Sequence, residues 1–243
     1  VLFRSAVASL GERTEGWIAA LQLAALSLRG REDASGFIER FAGDDRYIVD
    51  YLMDEVLAHQ PDDVRGFLLL TAFLDRLTGP LCDAVTGQDN GSRMLTSLER
   101  ANLFVVPLDD QLTWFRYHHL FADVLRARLL AEEPEQVPLL HGRASHWFES
   151  NGLLDDAIGH ALAAADFERA SSLIEPAVPV ARRNRQDGML IRWLQALPDD
   201  AIRRSPVLSV VSGWMLLASG NLAAVESRLD RAESLLTSLP TGS

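Results

Sequence analysis

Apolar residues in the N-terminal half of the chain recur mostly every three or four positions, which predicts a series of amphipathic helices. Residues 13–28 form the clearest stripe, and Gly30 follows at the position of a C-terminal cap. Pro61 opens another helix, with Asp62 and Asp63 in its first turn, where carboxylates stabilise the helix dipole. The helices expected after the first stripe cover 34–41, 46–60, 61–72, 81–85 and 92–102.

The hydrophobic period changes between residues 103 and 117. Stretches 103–108 and 112–117 are rich in β-branched and aromatic residues, and the three residues between them suit the loop of a hairpin. A helix with an apolar face begins at Leu120. Helices followed by one two-stranded hairpin and a closing helix are typical of a winged-helix domain.

Beyond the charged break at 132–135, the pattern is entirely helical and weakly repetitive. Three pairs of residues five positions apart join a turn to a small or apolar residue of the next helix: Gly152 and Ala157, Ala165 and Ala170, and Gly220 and Val225. Small residues at helix crossings predict stacked helical hairpins of the tetratricopeptide type. An ordinary helical bundle is the alternative.

Together these patterns predict a mainly α-helical chain with three regions. Residues 1–44 are expected to be the helical end of a preceding module, 45–133 a winged-helix domain with one small β-hairpin, and 134–243 a tetratricopeptide-like helical repeat array. The chain does not begin with Met, and its last amphipathic helix stops just before the C-terminus. We therefore expect an internal fragment of a longer protein.

Composition excludes several classes of function for this chain. Its net charge of −11 repels nucleic acid backbones and anionic lipids, so we expect neither as a direct ligand. The 23 basic residues other than histidine are all arginines, which removes phosphate-loop NTPases, Schiff-base enzymes and Ser–Lys hydrolases. A single cysteine, Cys82, and the absence of a long apolar stretch fit a reducing cytoplasm.

Neither a metal site nor a catalytic site is expected. His141 and His146 lie five positions apart and therefore on different faces of a helix, and the sequence holds no His-Glu-x-x-His spacing. It also holds no Gly-x-Ser-x-Gly elbow. We therefore predict that the chain is not itself an enzyme.

A winged helix can bind DNA, but this one lacks the required charge. Residues 46–131 contain eight arginines and twelve acids, and the helix expected at 92–102 carries only Arg93 and Arg100, with Glu99 beside them. A duplex needs a basic face, so we expect a module that packs against protein.

His118 is the residue that stands out as a candidate. It lies where the second strand meets the next helix, close to a helix N-terminus whose free N–H groups favour an anion. The other interpretation is that His118 or His119 caps the helix or fills a polar gap beneath the wing.

Five ordered blocks resemble MalT-like large ATP-binding LuxR-type transcriptional activators. They read TEGWIAALQLAAL (14–26), DRYIVDYL (45–52), LDRLTGPLCDAV (74–85), LERANLF (98–104) and RYHHLFADVLR (116–126). The resemblance implies bacterial signal-transduction ATPases with a nucleotide-binding domain, a winged helix, helical repeats that receive an inducer, and a C-terminal helix-turn-helix. Residues 1–44 would then be the C-terminal end of a truncated nucleotide-binding module, whose ATP site lies upstream.

The same resemblance gives His118 a role. Related switches carry a Met-His-Asp motif that contacts the phosphates of ADP in the resting state. Tyr117, His118 and His119 are similar to it at the central histidine, with Tyr in place of Met and His in place of Asp. His118 is therefore the predicted cofactor-binding residue, with ATP or ADP bound in the intact protein and none held stably by the fragment.

The function that follows is the central regulatory segment of a cytoplasmic transcriptional activator. The segment would couple nucleotide state and inducer binding to activation and to self-association. Its expected partners are the upstream nucleotide-binding domain, the downstream helix-turn-helix domain of the same protein and a small-molecule or protein inducer on the repeats. The alternative is a helical-repeat interaction scaffold without nucleotide control.

Overall fold

The structure is a computed structural model, and it describes residues 57, 60–101, 105–218, 220 and 222–238. Backbone contacts divide the chain into two compact units, Val1–Val137 and Pro138–Ser243, which are called here the N-terminal and C-terminal units. The helices expected at 13–28 and 34–41, and nearly all of the one at 46–60, lie outside the described residues. The described chain is mainly helical with one antiparallel hairpin, as predicted.

The N-terminal unit contains helices packed around a two-stranded wing. In chain order its elements are α1 (Asp62–Thr71), α2 (Gly79–Thr86), α3 (Gly91–Arg100), β1 (Val105–Pro107), β2 (Phe115–Tyr117) and α4 (His119–Glu132). Its largest fully buried side chains are Phe67, Phe121, Leu68, Leu74, Leu77, Leu81, Leu95 and Leu125. Asp62 and Asp63 occupy the first turn of α1, as expected. This order of helices and hairpin is that of a winged-helix domain.

Two glycines set the crossing of α2 and α3. A Cβ on Gly91 would lie 2.5 Å from the carbonyl oxygen of Gly79, and a Cβ on Gly79 would lie 1.8 Å from the Ser92 hydroxyl. The Gly91 amide donates to the Asp83 carboxylate at 2.7 Å. Only glycine allows this approach, because any side chain here would displace a backbone.

The second strand of the wing is shorter than predicted. The ladder pairs Val105 with Tyr117 and Pro107 with Phe115. Residues 112–114, which we expected in the second strand, belong to the connection, because Leu112 takes a left-handed backbone with φ of 54°. The Asp109 carboxylate accepts hydrogen bonds from the amides of Thr113 and Trp114 at 2.9 and 3.0 Å, which stabilises this wider loop.

A third segment adjoins the wing at Leu77. The amide and carbonyl of Phe115 bond to the carbonyl and amide of Leu77, at 2.8 and 2.7 Å, in an isolated antiparallel bridge. Because both backbone groups of Phe115 point towards Leu77, its pairing with Pro107 uses no hydrogen bond. The proline therefore costs the ladder no donor.

The C-terminal unit is helical throughout its described part. Its helices are α5 (Gln136–Ser150), which begins just before the boundary, α6 (Leu154–Ala163), α7 (Phe167–Arg183), α8 (Asp187–Ala196), α9 (Asp199–Arg204), α10 (Pro206–Ala218) and α11 (Leu222–Ser238). Whether these hairpins form a tetratricopeptide-like array stays a prediction.

Left-handed residues end four of these helices. They are Gly152, Ala165, Arg185 and Gly220, with φ between 55° and 77°. At the first three, the next amide bonds to the carbonyl five residues back: Leu153 to Phe148, Asp166 to Ala161, and Gln186 to Ala181. This is the Schellman pattern, which satisfies the last carbonyls of a helix.

The five-residue spacing predicted from the sequence marks buried positions. Ala157 and Ala170 are fully buried, and Val225 is half-buried. The sequence analysis missed a fourth case, in which Leu190 follows Arg185 by five positions and is also fully buried. An arginine in the left-handed position hid this repeat, because glycine is the residue expected there.

Candidate functional site

His118 lies at the junction of β2 and α4 and is 2% exposed. Its backbone is extended, with φ of −59° and ψ of 133°, and its carbonyl accepts the first helical bond from Ala122 at 2.9 Å. His118 is thus the N-cap residue of α4, although its side chain makes no capping hydrogen bond. The extended backbone of β2 instead directs the imidazole into the protein.

The neighbouring His119 has a different environment. It is the first residue of α4 and its side chain is exposed, while the two imidazole rings lie 4.7 Å apart between centroids and tilted by 30°. The Nδ1 atom of His118 is inaccessible to solvent. The two histidines therefore offer a matched pair, one buried and one exposed, at the start of the same helix.

Tyr117 anchors the strand before His118. Its hydroxyl lies 2.6 Å from Thr71 Oγ1, and Thr71 donates its proton to the Phe67 carbonyl at 2.7 Å. Thr71 has only one proton, so Tyr117 is the donor to Thr71. Burial raises the pKa of the Tyr117 phenol above its ordinary value, and the group stays protonated as this arrangement requires.

Arg126 anchors the helix after His118. Its Nε donates to the Ala72 carbonyl at 2.9 Å, and its terminal nitrogen lies 3.0 Å from the Asp75 carboxylate. These contacts join α4 to the end of α1. Tyr117 and Arg126 thus fix the backbone on both sides of His118, and the sequence analysis identified neither role. The one signal was that Asp75 and Arg126 stand in two of the blocks on which the family resemblance rests.

The exposed surface of α3 carries two arginines. Met94, Leu95 and Leu98 are buried, while Arg93 and Arg100 are exposed and Glu99 is half-buried. Two separated arginines supply little of the basic face that a duplex needs. That the module packs against protein remains a prediction.

Histidines of the C-terminal unit form a pair that the sequence analysis did not anticipate. The Nδ1 atoms of His141 and His160 lie 2.8 Å apart, and the ring of His160 stacks on Phe148 at 5.1 Å between centroids. Nothing in the spacing of residues on α5 and α6 signals this contact. Among the residues described, no three His, Cys, Asp or Glu side chains are grouped so that they could hold a metal ion.

No described helix combines the length and the apolar character needed to cross a membrane.

Comparison with known proteins places this geometry in a family. Residues 53–137 match the model of the MalT winged helix domain. The HTH-type transcriptional regulator MalT of Serratia proteamaculans is 34% identical over 229 residues, and that of Yersinia enterocolitica is 35% identical over the same length. Each alignment covers 93% of this chain and 25% of the relative.

A relative with another name is similar over the same part of the chain. The serine/threonine-protein kinase PknK of Mycobacterium tuberculosis is 38% identical over 237 residues, which is 95% of this chain and 21% of that protein. The chain thus spans about a quarter or less of the length of these relatives. Residues 53–137 form a MalT winged helix domain, and the chain as a whole is a MalT-like segment, similar to a part of these longer relatives.

Proposed function

We propose that this segment is the central switch of an ATP-dependent regulator. It would pass nucleotide state from an upstream domain, and inducer binding from the helical unit, to activation. The observation that carries the proposal is the position of His118 at the N-terminus of α4, on a backbone anchored by Tyr117 and Arg126. Because Tyr117 bonds to α1 and Arg126 joins α4 to the end of α1, a ligand that bonds to this imidazole can shift the position of both helices.

In this mechanism ADP bonds to His118 and holds the nucleotide domain against the winged helix. The first amides of α4 add a positive end of a helix dipole beside the imidazole, which suits a phosphate. An inducer and ATP together favour a second, self-associating state that releases a helix-turn-helix domain. Coupling between two ligands requires each of them to prefer one of two such states. The proposed location of the intact protein is the cytoplasm.

The test is His118→Ala in a full-length homologue, with His119→Ala as the matched control. Loss of the buried imidazole should raise inducer-free transcription and lower the ADP retained by the purified protein. The exposed His119 should tolerate the same change. If His118→Ala leaves both basal transcription and bound ADP unchanged, the nucleotide switch is disproved and the interaction scaffold without nucleotide control takes its place.

The similarity to PknK favours a second candidate for the output. That relative is named a protein kinase, so the same segment serves a protein whose name carries no reference to transcription. In this candidate the switch controls phosphorylation. The coding sequence on both sides of the segment decides between them, because a kinase domain supports PknK-like output and a helix-turn-helix supports transcription.

A further inference from the structure

A cavity of about 440 Å³ lies within the C-terminal unit, where α6, α7 and α8 meet the end of α5. Its volume is in the range of small-molecule sites. The apolar lining consists of Leu154, Leu173, Pro176, Ala177, Val180, Ala181, Met189 and Trp193. This composition excludes a ligand that is polar over its whole surface.

Four hydrogen bonds hold the walls of this cavity in place before any ligand arrives. Trp193 donates its indole N–H to the Asp155 carboxylate at 2.9 Å, which joins α8 to α6. Arg169 bonds to Glu149 at 2.7 Å and to the Ser145 hydroxyl at 2.8 Å, and Ser145 donates to the Ala157 carbonyl at 2.7 Å. The flexible Met189 side chain can adapt to a bound apolar group.

The charged groups at the cavity are both carboxylates. Glu149 and Asp155 line it, and among the described residues no arginine or histidine does so. Pro176 also lies in the wall, inside α7, and its missing N–H leaves the carbonyl of Ser172 without its helical donor. Arg169 already pairs with Glu149, so a ligand that supplies hydrogen-bond donors and positive charge would pair with Asp155 and the Ser172 carbonyl.

We propose that the C-terminal unit binds a small amphiphilic amine here, with its apolar body against Val180, Met189 and Trp193 and its ammonium group facing Asp155. The proposal deepens the function proposed above, because it gives the inducer of the helical unit a site and a chemical class. It predicts that ligands with the same apolar body bind with different affinities according to the charge of their polar end.

The experiment titrates the whole chain with 4-phenylbutylamine, 4-phenylbutanol and 4-phenylbutyrate by isothermal titration calorimetry. The amine should bind about fivefold more tightly than the alcohol, because its ammonium pairs with the exposed Asp155 carboxylate, and the anion should bind most weakly. Absence of saturable binding by the amine, or equal binding of amine and anion, overturns the proposal.

Two variants locate the site. Asp155→Asn keeps an oxygen for the Trp193 indole but removes the charge, so the affinity for the amine should fall to that for the alcohol while the latter stays constant. Val180→Arg should obstruct the cavity and weaken the amine about tenfold or more, since it removes apolar contact. Val210→Arg is the matched control, because Val180 and Val210 are 48% and 45% exposed and Val210 lies outside the lining.

An unchanged preference for the amine in Asp155→Asn, or equal weakening by both arginine variants, would show that the amine binds elsewhere. These titrations involve neither nucleotide nor DNA, so they are independent of the His118 test. If the amine does not bind but the His118→Ala variant is constitutively active, the amine site is disproved and the proposed switch stands.

Discussion

In the N-terminal unit, the contacts that position His118 join residues far apart in the chain, whereas the C-terminal unit repeats a local device from helix to helix. Thr71 and Tyr117 are 46 residues apart, and Asp75 and Arg126 are 51 apart. The Schellman turns, in contrast, close over five residues. Because each local turn involves only neighbouring helices, further helices can be added to the C-terminal unit without changing the existing turns. The distant contacts of the N-terminal unit instead hold a single geometry around His118.

The largest expected effect comes from a substitution at the close crossing of α2 and α3 in the N-terminal unit. Gly91→Ala should destabilise the protein by about 3 kcal/mol, because the new methyl group meets the Gly79 carbonyl. Urea unfolding followed by circular dichroism measures the loss, and amide exchange locates it.

Gly159→Ala is the control in the other unit. It lies inside α6 with no atom near its prospective Cβ, so alanine should stabilise the helix by about 0.5–1 kcal/mol. Equal effects of the two substitutions would contradict the difference drawn between the units.

The second prediction concerns the buried hydroxyl pair beside His118. Thr71→Val strands the Tyr117 hydroxyl in the core and should cost about 2 kcal/mol of unfolding free energy. Tyr117→Phe removes the donor and leaves Thr71 bonded to Phe67, so it should cost about 1 kcal/mol.

Urea unfolding of both variants and of the double variant gives the coupling between the two residues. The double variant should be more stable than the sum of the single losses implies, because it leaves no stranded hydroxyl. Strict additivity would mean that the hydrogen bond does not connect β2 with α1.

The smallest expected effect concerns the left-handed residue in the repeated turn of the C-terminal unit. Arg185→Gly should raise the free energy of unfolding by about 0.5–1 kcal/mol, because glycine adopts a φ of 55° without steric cost. Arg183→Gly is the matched control two residues earlier, at the last residue of α7, where glycine should cost up to about 1 kcal/mol. A destabilising Arg185→Gly would show that its side chain contributes more than its backbone strain.

Sequence patterns were informative where a structure repeats or where a residue type is required by the backbone. Gly152 and Ala165 marked their turns, and His118 was placed correctly at the start of α4. The extent of β2 was wrong because Asp109 bonds to two amides of the loop, and a carboxylate carries no visible preference for that role in a sequence.

The surroundings of the candidate site could not be foreseen for a different reason. The pairing of Thr71 with Tyr117 and that of His141 with His160 depend on how elements cross in three dimensions. Periodicity assigns each of these residues to a helix or strand but gives no partner on another element. The cavity likewise depends on how α6, α7 and α8 meet the end of α5.

Pro107 has a consequence for a protein proposed to work by self-association. Its nitrogen points away from β2, towards the edge of the wing on which no described strand pairs, and it offers no donor to an incoming strand. Copies brought together at high local concentration therefore find this edge a poor template for strand exchange. Ordered assembly can then proceed through other surfaces without the wings aggregating edge to edge.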